Sequence, residues 1–231
     1  MRKFFKSIQC AKLCAAERNL QRAVIRKKFA RRRHACIAEL RFRLFGWALR
    51  PLRTILSARR QYGFEKFTQA ENLGLCSNGI SDLAPLEGLV KLRELNLESN
   101  RIHNLSYLKG LTGLNVLLLS ENQISDLTPL AGLTHLIALS LNQNQVADLA
   151  PLSGLTLLSD LSLEKNQITD LSALAGMNKL KHLYLTDNQV RDLSALKGMD
   201  SLQTLDLTGN PLEQAQVEAL REALPKCEIQ F

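Results

Sequence analysis

The chain has 231 residues, of which 45% are hydrophobic but only 5% aromatic, and this suits one globular domain with an extension. Its formal charge of +8 is the sum of two parts with opposite charge. Residues 1–66 contain 19 Lys and Arg and three acidic residues, whereas residues 67–231 contain 11 Lys and Arg and 19 acidic residues. No run of 18 uncharged apolar residues occurs, which excludes a predicted membrane-spanning helix, and the five cysteines give no disulfide framework.

Residues 1–66, here called the basic arm, are predicted to form a basic helical extension and to cap the start of the following domain. No Gly or Pro precedes Gly46, and apolar residues recur at loosely helical spacing. Phe64 and Phe67 are expected to cover the end of the core that follows. The densest positive charge of the arm lies at Arg26, Lys27, Lys28, Arg31, Arg32 and Arg33.

Several roles remain open for the basic arm. It can bind nucleic acid through phosphates, lie on an anionic membrane, or serve as a targeting or calmodulin-type peptide. A charged tail without a dedicated ligand is the simplest alternative. The arm can also fold against the acidic remainder of the chain and block it. Cys10 and Cys14, with His34 and Cys36 further on, are too weak a pattern for a metal site to be predicted.

An Asn recurs every 22 residues and identifies a repeat. A buried Asn amide can bond backbone groups that a turn leaves unpaired, so these residues are predicted to form a structural ladder. One unit cannot bury its own leucines, so residues 67–212 are predicted to stack as a solenoid of about seven repeats. The ladder comprises Asn78, Asn100, Asn122, Asn144, Asn166, Asn188 and Asn210.

The unit around Asn122 shows the local pattern. Leu117 and Leu119 alternate with outward residues, which predicts a strand with one buried face. Thr128-Pro129 predicts an N-cap followed by Pro at the first position of a helical turn. An acidic residue precedes the turn, where a carboxylate suits free N–H groups. This position is occupied by Asp82, Asp126, Asp148, Asp170 and Asp192.

Residues 213–231 are predicted to form a C-terminal cap made of a helix and a short strand. The segment from Pro211 to Pro225 is amphipathic with helical period, and proline ends it. Cys227, Ile229 and Phe231 then alternate as in a half-buried strand. Cys227 is expected to be a small buried apolar residue without catalytic function.

The unit Leu117-x-Leu119, Asn122, Leu127 and Leu130 resembles the 22-residue leucine-rich repeats of bacterial internalins and of a protein-phosphatase regulatory subunit. The resemblance covers about residues 67–231. It implies an α/β solenoid with a curved parallel sheet on the concave side and short helical turns on the convex side. It also implies protein–protein recognition on the concave side. The regularity of the repeats favours a bacterial source.

Strand residues between the leucines are expected on the concave face. Acidic residues dominate there and are expected to steer a basic partner protein, with Leu118 and Tyr184 as apolar anchors. A solvated face of chance composition is the alternative. The predicted partner-binding residues are Glu94, Asn96, Glu98, Val116, Leu118, Glu121, Asp160, Glu164, His182, Tyr184, Asp187 and Asp206. The same face is assigned to Ser120, Ala138, Ser140, Asn142, Ser162 and Thr204.

The sequence contains no Gly-rich phosphate loop, nucleophile elbow or metal-binding motif. We therefore predict no catalytic residue, no cofactor and no small-molecule substrate. The predicted function is a non-catalytic module that binds a partner protein on its concave face. The alternative is an adaptor whose basic arm binds nucleic acid or anionic membrane. Because Lys12, Glu17 and Arg18 interrupt the N-terminal apolar residues, a cytoplasmic protein, or one exported without a standard secretory signal, is expected.

Overall fold

The computed structural model describes residues 68–231. The basic arm lies outside these residues, and so do the predictions made for Arg26, Lys27, Lys28, Arg31, Arg32 and Arg33. The described residues form a continuous series of repeats, in which each strand is followed by a turn and a short helical segment.

Within residues 68–231, eight strands form one parallel sheet in chain order. They are β1 (Asn72–Gly74), β2 (Glu94–Asn96), β3 (Val116–Leu118), β4 (Ala138–Ser140), β5 (Asp160–Ser162), β6 (His182–Tyr184), β7 (Thr204–Asp206) and β8 (Glu228–Gln230). From β1 to β7 each residue pairs with the one 22 positions later, as Leu117 pairs with Leu139. The predicted solenoid with a parallel sheet is thereby confirmed.

A 3-10 turn follows each of the strands β1 to β6 and carries the chain back to the next repeat. The six turns are Ala84–Leu86, Ser106–Leu108, Thr128–Leu130, Ala150–Leu152, Ser172–Leu174 and Ser194–Leu196. The N-cap assigned to Thr128 is wrong, because Leu127 precedes the turn and no side chain of that residue caps it. The Oδ1 atom of Asp126 instead accepts the N–H of Thr128 at 2.8 Å, as the acidic residue before the turn was expected to do.

The leucines form a single core that runs through all the repeats. The middle residue of each strand points into it, and Leu117, Leu139 and Leu161 are fully buried. Burial of one such side chain stabilises the fold by about 1.5–3 kcal/mol. Because each repeat supplies only one layer, this stabilisation exists only when the neighbouring layers are present.

The recurring Asn joins each repeat to the preceding one. Asn144 is representative: its Nδ2 donates to the carbonyls of Leu119 and Leu141, both at 3.0 Å. Its Oδ1 accepts the N–H of Ile124 at 2.9 Å. One amide thus satisfies backbone groups of two successive repeats at the end of a strand.

The residue before each ladder Asn has a left-handed backbone. In the six cases before Gly209, its N–H donates to a carbonyl in the next repeat, as Gln143 does to Glu164 at 2.8 Å. These inter-repeat hydrogen bonds offset the strain of about 1–2 kcal/mol that a left-handed L residue incurs. The φ angle lies between 54° and 58° at Ser77, Ser99, Glu121, Gln143, Lys165 and Asp187, and it is 77° at Gly209.

The last repeat is covered by the helix α1 (Gln214–Ala223) and the strand β8. Val217 and Leu220 of α1 are fully buried against the end of the core. Gln216 ties the helix to the preceding repeat by donating to the carbonyl of Arg191 at 3.0 Å. Phe231, expected to be half-buried, is 47% exposed.

Cys227 is half-buried beside this cap, and burial raises the pKa of its thiol to about 11. A thiol with such a pKa is almost entirely protonated at neutral pH and is a poor nucleophile.

In the described part of the chain, no helix is both long enough and apolar enough to cross a membrane.

Replacing Asn144 by Ala is expected to lower the free energy of unfolding by about 1–3 kcal/mol, because buried backbone groups of two repeats lose their partners. Urea unfolding followed by circular dichroism measures the effect. The exposed neighbour Gln145 provides the control, since Gln145→Ala should change stability by less than about 0.5 kcal/mol. Equal effects of the two substitutions would contradict the structural role of the ladder.

The N–H and the hydroxyl of Ser172 both bond the carboxylate of Asp170 and hold its pKa below the ordinary value. The contribution of Asp170 to stability is therefore present above its unfolded-state pKa and is lost as pH falls through the folded-state pKa. We expect Ser172→Ala to raise the pKa of Asp170 without restoring the ordinary value, because the backbone bond remains. Carboxyl NMR titration tests this, with Asp126 in the same protein as the internal control; an unchanged pKa of Asp170 would show that the hydroxyl has no effect.

Candidate interaction surface

The open face of the sheet consists of the first and third residues of each strand, which point away from the leucine core. The second residue of each strand is buried, so the alternation along each strand separates the two faces. The register aligns the first residues in one column and the third residues in another, with neighbouring strands about 4.8 Å apart. Side chains from different repeats are therefore neighbours on this face.

The structure places most of the predicted partner-binding residues in these columns or directly after them. In the first column lie Glu94, Val116, Asp160 and His182, and in the third-residue column lie Asn96, Leu118, Tyr184 and Asp206. Glu98 and Glu164 follow two residues after their strands and are half-buried. These ten residues thus share one continuous surface.

Glu121 and Asp187 occupy a different place. Both are the left-handed residues before a ladder Asn, and both are exposed on the turn at the end of a strand. Ser99 Oγ donates to Glu121 Oε2 at 2.7 Å. They are the two acidic residues at this turn position, and Gln143 and Lys165 occupy the equivalent positions between them.

The middle of the open face is apolar. Val116 and Leu118 of β3 and Ala138 of β4 are half-buried neighbours on adjacent strands. Ile137, immediately before β4, is 46% exposed.

Acidic side chains crowd the part of the face around Tyr184. Burial raises the pKa of its phenol, and the negative charges of Asp160, Glu164, Asp206 and Glu228 raise it further. Asp206 is nevertheless only 6% exposed, and its Oδ1 accepts the N–H of Thr208 at 3.1 Å. Asp206 therefore contributes charge to the surface more than direct contact area.

Glu228 was missed as a face residue. It pairs beside Thr204 as the first residue of β8, and so it continues the first column. The alternation of Cys227, Ile229 and Phe231 predicted this strand and would have assigned Glu228 outward.

Two small residues occupy the centre of the third-residue column. Ser140 and Ser162 lie between the longer side chains of Leu118 and Tyr184, and both serines are nearly fully buried, at 3% and 1% exposure. Ser140 Oγ is 2.6 Å from the hydroxyl of Ser120.

Among residues 68–231, two buried side-chain polar atoms lack a hydrogen-bond partner. They are Ser162 Oγ and His182 Nδ1. The two residues belong to the neighbouring strands β5 and β6, on the same open face.

Among the described residues, no group of three or more His, Cys, Asp or Glu side chains is placed to hold a metal ion.

Comparison with known proteins identifies the architecture. A family profile described as Leucine rich repeat matches residues 158–212, and one described as Leucine Rich repeats (2 copies) matches residues 112–154 and 134–176. A comparison with curated proteins gave no match. Proteins with leucine-rich repeats generally serve as protein–protein interaction modules and are typically not enzymes.

Solved structures give closer resemblances. An internalin of Listeria monocytogenes is 33% identical with a TM-score of 0.70, over 73% of this chain and 49% of that one. Internalin C2 of the same organism is 30% identical with a TM-score of 0.58, over 73% of this chain and 84% of that one.

A third structure is the leucine-rich repeat ectodomain of a plant membrane receptor kinase from Arabidopsis thaliana, in complex with Casparian strip integrity factor 2. It is 28% identical with a TM-score of 0.56, over 62% of this chain and 19% of that one. The chain thus spans about half of the first internalin, most of internalin C2 and a small part of the plant ectodomain. On the strength of its repeats, its fold and these matches, the chain belongs to the leucine-rich repeat family and is similar to internalins.

Proposed function

We propose that the chain is a non-catalytic interaction module whose repeats, at residues 67–212, bind a basic partner protein on the open sheet face. The observation that carries this proposal is the arrangement of the face, where an apolar centre is bordered by acidic side chains. Val116, Leu118 and Ala138 supply the centre. Partner surfaces commonly combine a few apolar anchors with a charged border that selects and steers the ligand.

The charge of the domain favours a cationic partner. Residues 67–231 contain 19 acidic and 11 basic residues, and several of the acidic ones lie on or beside the open face. Burial raises the pKa of Tyr184, and the nearby carboxylates Asp160, Glu164, Asp206 and Glu228 raise it further. The complex of the plant ectodomain with its factor supports the proposal by showing a related repeat domain engaged with a ligand.

An adaptor role for the basic arm is the second candidate. It is favoured by the 19 Lys and Arg against three acidic residues in residues 1–66. Nucleic acid and anionic membrane both attract such a segment, and binding to them weakens steeply with salt. The two candidates differ in the part of the chain that carries the binding.

Affinity capture from a lysate of the source organism, followed by titration of the captured protein, tests the proposed function. We expect the double variant Leu118→Glu with Tyr184→Ala to weaken binding by at least about tenfold, because both anchors are lost. The matched control is Val90→Glu, an apolar-to-acidic change at a residue that is 59% exposed and outside the strands.

The outcome separates the two candidates. Loss of binding in the double variant, with the control unchanged, places the function on the open face. If binding instead survives the double variant and is abolished by neutralising Arg31, Arg32 and Arg33, or by nuclease, the proposal is wrong and the basic arm is the functional element.

The negative potential of the face is testable by itself. Replacing Asp160 by Asn and Glu164 by Gln is expected to lower the pKa of the Tyr184 phenol, because two of the charges that raise it are removed. The pKa should remain above its ordinary value, since burial is the largest cause. NMR titration of labelled tyrosine measures the change, and Tyr184→Phe assigns the signal. A pKa that does not move would show that these carboxylates exert no field at Tyr184.

A further inference from the structure

We infer that residues 26–33 of the basic arm, here called the arm segment, dock across the open face of the same molecule, at the place proposed for the partner protein. The inference goes beyond the proposed function, because the contact needs no separate partner. Three features carry it: the sign of the charge on the face, the order of acidic and apolar strands, and the matching order of residues in the arm segment.

The strands place charge of a single sign on the open face. Four of the 16 first and third strand residues are acidic, and none of these 16 is Lys or Arg. Residues 67–231 nevertheless contain 11 Lys and Arg, all of which lie at other positions. Within the described strands, a cationic segment therefore meets no lysine or arginine that would repel it from this face.

The acidic residues nearest the middle of the face lie on both sides of an uncharged centre. Two are at β2 and two at β5, and the strands between them, β3 and β4, contain no charged residue. Val116, Leu118 and Ala138 form the apolar centre there. Three steps between strands separate β2 from β5 by roughly 14 Å. The four acidic residues, here called the acidic flanks, are Glu94, Glu98, Asp160 and Glu164.

The acidic flanks lie at the surface. Glu94 is exposed, and the other three are half-buried, as are the residues of the apolar centre. The N–H of Glu98 donates to Asn96 Oδ1 at 3.0 Å, and that of Glu164 donates to Asn142 Oδ1 at 2.9 Å. The same device thus fixes the backbone beneath one carboxylate of each flank. A ligand that lies on the face meets these groups without entering the core.

The arm segment has the complementary order of residues. It reads Arg-Lys-Lys-Phe-Ala-Arg-Arg-Arg, so three cations precede Phe29 and Ala30 and three follow them. The middle cations of the two groups, Lys27 and Arg32, would be roughly 16 Å apart in an extended chain. In a helix they would be about 7.5 Å apart along the axis, and the long side chains of Lys and Arg extend that reach. Either conformation allows the two groups to meet the two flanks while Phe29 covers the apolar centre.

The arm segment is tethered within reach of the face. Between Arg33 and Thr68, which precedes β1, lie 34 residues. Even with the rise of a helix they cover roughly 50 Å, more than the roughly 19 Å from β1 to β5. Single exposed ion pairs are weak, but several act together here, and the tether raises the local concentration of the segment toward the millimolar range. Docking within one molecule is therefore favoured over docking of a more dilute cation.

Carbodiimide cross-linking of the nuclease-treated full chain tests the contact, because the reagent joins a lysine amine to a carboxylate without a spacer. At about 150 mM salt, where long-range attraction is screened, mass spectrometry of the monomer should find Lys27 or Lys28 linked to the acidic flanks. These links should be at least about tenfold more abundant than links to Asp148 and Glu222, because docking concentrates the segment at the flanks alone. Both controls are exposed carboxylates away from the open face, Asp148 before a 3-10 turn and Glu222 on α1.

A variant of the arm tests the contribution of its charge. Replacing Arg31, Arg32 and Arg33 by Gln keeps both lysines and should reduce the yield of the links by at least about fivefold, because half of the segment's cations are lost. The matched control replaces Arg2, Lys3 and Lys6 by Gln, which removes three cations of the same arm outside the segment. This control should leave the yield unchanged.

A variant of the face tests the other side of the contact. Leu118→Lys places a cation in the apolar centre and should reduce the yield by at least about fivefold through repulsion of the segment. Gln145→Lys is the matched control, since it adds the same charge at an exposed position outside the open face. Circular dichroism reports whether Leu118→Lys is folded, and the arm variant gives an independent test because it leaves the repeats unchanged.

Three results would overturn the inference: no links to the acidic flanks in the monomer, equal links to the control carboxylates, or links that neither the arm variant nor the face variant reduces. Links found only in a covalent dimer would assign the arm segment to the face of a second copy, and docking within one molecule would then be wrong.

Docking makes the arm a competitor of the proposed partner, and this consequence rests on the proposed function. The apparent affinity for a partner scales with the fraction of molecules whose binding surface is open. Replacing Arg31, Arg32 and Arg33 by Gln should therefore strengthen binding of the captured partner by at least about threefold. An unchanged affinity, with the cross-links present, would show that the arm and the partner do not compete.

Failure of the docking and failure of the proposed function remain distinguishable. If the cross-links are absent but Leu118→Glu with Tyr184→Ala still abolishes capture of the partner, the open face is the binding surface and only the docking is wrong. If the cross-links are present but capture is unaffected by that double variant, the docking stands and the proposed function fails.

Discussion

Each repeat can bury its leucines only against its neighbours, and every other feature of the molecule depends on this constraint. Leu117 is fully buried because Leu95 and Leu139 lie on either side of it in the same row. The ladder Asn makes the stacking specific, since its amide satisfies backbone groups of two successive repeats only when they are in register. Stacking fixes the register, and the register fixes which side chains meet on the opposite face.

The arrangement of side chains on the open face follows from the packing of the leucine core. Because the leucines hold one row per repeat, the outward residues also align in rows, and a patch can be assembled from residues 22 positions apart. The apolar centre of Val116 and Ala138 and the acidic surroundings of Tyr184 arise in this way. The strands contribute only three residues each, so the proposed partner would contact several repeats at once.

The capping of the convex turns shows how different side chains meet one local requirement. Asp126, Asp148 and Asp170 each accept an N–H of the turn that follows, and Asn104 does the same in the repeat that lacks an acidic residue. The turn has an N–H that requires an oxygen acceptor two residues earlier in the chain. Either an Asp or an Asn side chain supplies that oxygen. The charge at these positions is therefore separable from their structural role.

The sequence by itself determined the repeat, its length, the buried leucines and the outward strand residues, because a 22-residue period and an alternation of two are local regularities. It also indicated the acidity of the face. Only the tertiary structure decided which polar groups are satisfied: Asp206 is buried and bonded to Thr208, whereas Ser162 Oγ and His182 Nδ1 are buried without partners. Those outcomes depend on the size and rotamer of side chains from neighbouring repeats, which no single repeat encodes.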